Sequence, residues 1–121
     1  MPPRLHDLRS RLTRLHKTLV EEERSAYEAA HGTVTSGPEL LGLLLHHEQF
    51  AWLRSLSGMI SAIDAALDEM EDADAGAETF VLQARALLRS GDSTTFATKY
   101  RDALQRSPDV VMAHAAVVKL L

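Results

Sequence analysis

Between Leu5 and about His31 the apolar positions Leu5, Leu8, Leu12, Leu15, Leu19 and Ala26 recur in a three-then-four alternation, with charged and polar residues between them. That spacing puts them on one face of an amphipathic helix. Gly32 supplies a C-terminal stop, and residues 33–37 make a short connection. Ser36 stands at capping-box distance from Glu39, and Pro38 falls in the first turn, where its missing N–H leaves nothing unsatisfied. A second helix is predicted over residues 38–71.

This second helix has two apolar lines. At about 100° per residue, Leu41, Leu45, Trp52, Leu56, Met59, Ile63, Leu67 and Met70 share one stripe. Nearly opposite run Leu40, Leu44, Ala51, Ser55, Gly58, Ala62 and Ala65, small for most of their length. Small side chains let another helix approach closely, whereas on a solvated helix they would be ordinary surface residues. Gly58 favours the first reading, because mid-helix glycine costs up to about 1 kcal/mol against alanine. The helix is expected to be buried on both faces and to lie between partners. Glu48 and Gln49 interrupt the main stripe, so a break near His46 to Gln49 is the competing expectation.

The stretch Asp68 to Glu78 holds six carboxylates and no basic residue, and reads as a helix end followed by a loop. Ala77, Phe80, Val81, Ala84, Leu87 and Leu88 then return to helical spacing before Gly91. Thr94 or Thr95 would cap a short helix burying Phe96, Tyr100, Ala103 and Leu104. Ser107 and Pro108 open the last helix as cap and first residue, with Val110, Val111, His114, Val117, Val118 and Leu121 as its stripe. The fold expected is all-α: one domain over residues 1–121, a helical bundle with a long antiparallel helix hairpin plus three shorter C-terminal helices.

Antiparallel pairing across the short loop would bring Arg4, Arg9 and Arg11 to the acidic end of the second helix, near Asp64, Asp68, Glu69, Glu71 and Asp72. The basic start, Arg4 to Lys17, then has an internal complement. The two long helices would span roughly 40 and 50 Å at about 1.5 Å per residue. Three short helices do not cover such a hairpin, so part of the small-residue face, or the apolar last helix, is expected to pack on a second copy. A homodimer follows.

Composition narrows the functions. The chain has 121 residues, 45% hydrophobic and 25% charged, as in an ordinary globular domain. A formal charge of −4 disfavours nucleic-acid binding, which needs a basic surface. Without cysteine there is no disulfide, thiolate metal site or thiol nucleophile. The start lacks the uncharged apolar run of a secretory signal, and no window reaches the roughly 18 apolar residues of a membrane span. A cytoplasmic protein with no membrane partner is expected.

Candidate chemistry centres on His46, His47 and Glu48. Adjacent positions on a helix point about 100° apart, so a metal site would need convergence from elsewhere. His16 and Glu23, on the edge of the first helix's core face with Val20 and Tyr27, and His114 in the last helix are the available contributors. Glu23 falls roughly level with His46 and His47. Against this, His114 reads better as a core histidine hydrogen-bonded to a carbonyl, and His46 and His47 as cover for an interface or kink. Glu28 and His31 match a Glu-x-x-His unit that occurs once and projects away from the leucine seam. No phosphate loop, nucleophile elbow or His-Glu-x-x-His is present, and no serine or threonine has a visible activating partner. Trp52, with Leu43, Phe50 and Leu53, makes core or the wall of an apolar pocket. The expectation is a non-catalytic interaction or oligomerisation module without cofactor; the alternative is a metal- or small-ligand-binding bundle.

The run Phe50-Ala51-Trp52-Leu53-Arg54-Ser55-Leu56-Ser57, followed by Ile60, Ile63 and Asp64, and the ending Ser107-Pro108-Asp109-Val110-Val111-Met112-Ala113-His114 resemble small, uncharacterised all-helical bacterial proteins. The resemblance spans about a quarter of the chain and implies a bacterial helical domain, with no activity or site residue attached.

Overall fold

The computed structural model describes residues 4–69, 77–89 and 95–121. Among them are six α-helices and no strand: α1 (Arg4–His31), α2 (Gly37–His46), α3 (Arg54–Glu69), α4 (Ala77–Leu88), α5 (Thr95–Arg106) and α6 (Pro108–Val118), with a 3-10 turn, Glu48–Leu53, between α2 and α3. The chain is an all-α helical bundle. No helix of the described residues is long and apolar enough to cross a membrane.

α1 is the element around which the others gather, packing against α3, the 3-10 turn, α4 and α6. Leu5, Leu8, Leu12, Leu15 and Leu19 are all completely buried. Beyond Leu19 the buried line passes to Val20 and Glu23, with Tyr27 half-buried, while Ala26 is exposed. The helix itself does not cause the change, because Ala26 lies five whole turns from Leu8 and points in the same direction. At this end of α1 the cover comes from the 3-10 turn, whose Gln49 and Trp52 bond Glu23. Gly32 ends the helix with φ +94°, a left-handed conformation suited to glycine, and its N–H donates to the Glu28 carbonyl at 2.9 Å.

The Ser36 cap forms as expected: its Oγ accepts the Glu39 N–H at 3.2 Å, and Pro38 sits in the first turn. The single rod over 38–71 does not form. The chain breaks at His47, which is extended at φ −85° and ψ 133°, and runs through the 3-10 turn before α3 begins. The His47 side chain helps hold the break, its Nδ1 accepting the Gln49 N–H at 3.1 Å. The break also resets the helical phase. Trp52, Leu56 and Ile63 face the core and Met59 and Leu67 are partly buried, but Leu41 and Leu45 are left 55% and 56% exposed.

The second face expected to be buried is not covered by the described residues. Ser55, Gly58, Ala62 and Ala65 are exposed, and Leu40, Leu44 and Ala51 are only partly buried. A Cβ placed on Gly58 would meet nothing within 4 Å. The helix lying between partners is therefore α1, with α3 packed against it on one side only.

α1 and α3 run antiparallel, since Arg9 pairs with Asp64 near one end of the hairpin and Glu23 bonds Trp52 near the other. α4 buries Ala77, Val81, Ala84 and Leu88, and α5 buries Phe96, Ala97, Tyr100 and Ala103. Ser107 caps α6, its Oγ accepting the Val110 N–H at 3.3 Å. The inward face of α6 is Val110, Ala113 and Val117; Val111, placed on the stripe by its spacing, is 45% exposed. The expected stop at Gly91, the Thr94 cap, Met70 and the carboxylates of Glu71, Asp72 and Asp74 lie outside the described residues.

Candidate functional site

A buried carboxylate stands where α1 meets the 3-10 turn. Glu23 is only 7% exposed, and each of its oxygens accepts a neutral donor: the Trp52 Nε1–H at 3.1 Å and the Gln49 Nε2–H at 3.0 Å. Gln49 also reaches the Glu23 carbonyl at 3.4 Å. A carboxylate taken out of water needs such donors, and here they bend the following segment onto α1. With both oxygens engaged, Glu23 organises the break at His47.

His47 lies beside it, half-buried in a ring cluster, with centroids 5.3 Å from Tyr27 and 6.2 Å from both His31 and Phe50. Its Nδ1 lone pair is used on the Gln49 N–H. His46 and Glu48 are exposed. His16 lies two turns along α1 from Glu23, roughly 10 Å away at helical rise, and burial lowers its pKa. His114 is elsewhere, its Nδ1 2.6 Å from the Tyr100 hydroxyl, with its pKa lowered by burial and by the Arg89 charge. Burial raises the Tyr100 pKa, so the phenol stays neutral and serves as hydrogen-bond partner. Thus His114 bonds a side chain of α5 as a core histidine would.

His16, Glu23, His46, His47, Glu48 and His114 therefore do not converge. Among the described residues no group of three or more His, Asp or Glu side chains is placed to hold a metal ion. The Glu28 and His31 pair is likewise divided. Glu28 Oε2 accepts the Val34 N–H at 2.8 Å, and Arg24 Nη2 donates to the Val34 carbonyl at 3.1 Å. Two side chains one turn apart thus clamp both backbone groups of one loop residue, which is 2% exposed. That clamp was missed, although an Arg–Glu pair four residues apart at a helix end is its one visible trace.

The second notable surface is α2 itself. Five of its ten residues are leucines, yet none of the ten is fully buried. Leu40, Leu43 and Leu44 rest partly on the core, and Leu41 and Leu45 point outward. Arg54, the first residue of α3, donates through Nη2 to the Leu45 carbonyl at 2.8 Å and through Nε to the Leu44 carbonyl at 3.4 Å. These bonds satisfy the last carbonyls of α2 and lock its end to the start of α3. Arg54 thus ties the end of α2, which carries the exposed Leu45, to the start of α3, along which Ser55, Gly58, Ala62 and Ala65 are exposed and Ser61 adds another small, exposed side chain.

The basic start of α1 is only partly matched internally. Arg9 pairs with Asp64, as the antiparallel register requires. Arg11 turns the other way and donates to the Ala116 carbonyl on α6 at 2.7 Å. Comparison with known proteins finds no matching family model, no matching curated protein and no matching solved structure.

Proposed function

We propose that the chain is a non-catalytic, cytoplasmic interaction module that self-associates as a homodimer through α2 and the adjoining small-residue face of α3. The observation that carries this reading is the leucine-rich α2, which the rest of the chain leaves without one fully buried residue. Large apolar side chains left exposed together on one helix, as Leu41 and Leu45 are, mark an interaction site. A second copy is the occupant argued for, because the patch supplies both halves of a fit. Leu41 and Leu45 project, and the stripe around Gly58 offers a smooth, uncharged face free of intramolecular contact at the missing Cβ. A two-fold interface sets one patch against its own copy, so leucines of one protomer would lie on the small residues of the other. The engagement of Glu23, His47 and His114 with neighbouring side and main chain supports a structural role for them over a catalytic one. The alternative, a metal or small ligand held by these groups, has no converging ligand set behind it.

Light scattering at micromolar concentration tests the reading. Wild-type protein is expected at twice the 13.3 kDa chain mass, and the Leu41→Glu/Leu45→Glu variant at the chain mass with unchanged helical circular dichroism. A wild-type mass of one chain would end the proposal.

A further inference from the structure

On the opposite side of α1, the positive charge exceeds what the fold itself uses. Arg9 is paired with Asp64, Arg24 with Glu28, and Arg106 with Glu22. Arg54 and Arg85 donate to carbonyls of Leu45 and Leu121. Arg14, Lys17 and Lys119 are exposed and have no ion-pair partner among the described residues. Two of these three line one feature: an open groove of about 430 Å³ between α1 and α6, bounded by Ser10, Arg11, Arg14, Ala116 and Lys119. No carboxylate is on its wall.

A local explanation exists for part of this set. Cations near a helix C-terminus complement its dipole, and Arg11, on the Ala116 carbonyl, and Lys119, just past the end of α6, do so. Arg14 does not fit that account. It stands one turn from Arg11 on α1, where like charges repel, and it makes no bond to a carbonyl of α6. Arg11 meanwhile is held at one nitrogen only, which fixes the guanidinium in the groove and leaves its other N–H groups to donate. The wall therefore offers two guanidinium groups, an ammonium and a hydroxyl, drawn from two helices. Planar guanidinium forks match the oxygens of carboxylate and phosphate, and the groove volume is within the range of small-molecule sites.

We propose that this groove binds a small organic oxyanion, a carboxylate or phosphate group being held by Arg11, Arg14 and Lys119. The proposal is independent of self-association, which uses the face formed by α2 and α3. It is tested by following backbone amide shifts while titrating the protein separately with inorganic phosphate and with citrate, ionic strength being held constant with chloride. Saturable shifts are expected at Arg11, Arg14 and Lys119 and not at Lys99 and Arg101, which are cations of α5 away from the groove. Saturation by phosphate alone would assign a phosphate group, and by citrate alone a carboxylate. The Arg14→Ala/Lys119→Ala variant should bind at least about ten-fold more weakly, as loss of charge-assisted hydrogen bonds implies. A matched Lys99→Ala/Arg101→Ala variant should bind like wild type. The proposal is overturned if neither anion gives saturable shifts, if Lys99 and Arg101 respond equally, or if the groove variant binds as tightly as wild type.

Discussion

α1 and α2 are both built on leucine, and the chain treats them in opposite ways. In α1, five leucines spaced three and four apart are all fully buried. In α2, five leucines within six consecutive positions yield no fully buried residue. Leucine content is thus no guide to burial. Spacing decides it: the α1 leucines fall on one stripe with polar residues on the remainder, so a single neighbouring layer covers them. The α2 leucines point around most of the helix, and one layer leaves the outer ones in water. The comparison teaches where the described fold buries its leucines and where it leaves them in water.

The largest effect expected from this contrast is in stability. Leu12→Ala removes a completely buried side chain from the middle of the seam and should cost about 2–5 kcal/mol. Leu45→Ala removes one that is 56% exposed and should change the stability of the dilute monomer by about 0.5 kcal/mol or less. Urea melts of the two variants side by side measure the difference. Equal losses would mean that α2 is buried in the monomer and that the contrast is false.

How much of this was visible in the sequence follows the same division. The seam of α1 from Leu5 to Leu19, the Gly32 stop and the Ser36 and Ser107 caps are local signals, and the structure has these, while Ala26, read on the same seam, is exposed. The hairpin register was readable too, because the charges on its two arms are opposite, and Arg9 meets Asp64. The break at His47 was visible only as an interruption of the stripe by Glu48 and Gln49. No proline or glycine marks the spot. What fixes it is long-range: Glu23, 26 and 29 residues away in sequence, draws Gln49 and Trp52 onto α1. In the sequence Glu23 reads as a ligand candidate because it is a carboxylate on the edge of the core face; in the structure its partners are an amide and an indole. The clamp on Val34 was hidden because its acceptor and donor are backbone groups, which every residue carries.

The next effect tests that cause. Glu23→Ala leaves the Trp52 indole N–H without its acceptor in a buried setting, and should cost about 1–3 kcal/mol. Trp52 is the single tryptophan, so its emission reports the site directly. A shift in emission with loss of stability is expected, and Glu23→Gln, which keeps a carbonyl acceptor, should recover part of both. If Glu23→Ala leaves melting and emission unchanged, the junction is held by packing alone and α2 is placed by something other than this carboxylate.

The smallest effect is the sharpest for deciding what lies on the open side. Gly58 sits within α3, where replacement by alanine removes backbone freedom from the unfolded chain and should stabilise the helix by roughly 0.5–1 kcal/mol. Nothing within 4 Å opposes the added methyl group in the single chain. In a dimer that uses this face the same methyl group stands between two helices, so Gly58→Ala should raise the melting point of dilute protein while weakening association. Melting at low concentration and light scattering across a concentration series separate the two terms. A higher melting point with unchanged association would remove the α3 stripe from the interface and confine the contact to Leu41 and Leu45, which still depend on the opposite outcome of the two leucine-rich helices. Lower stability of the dilute chain would instead show that Gly58 is already covered from within, contrary to the open face on which the proposed self-association rests.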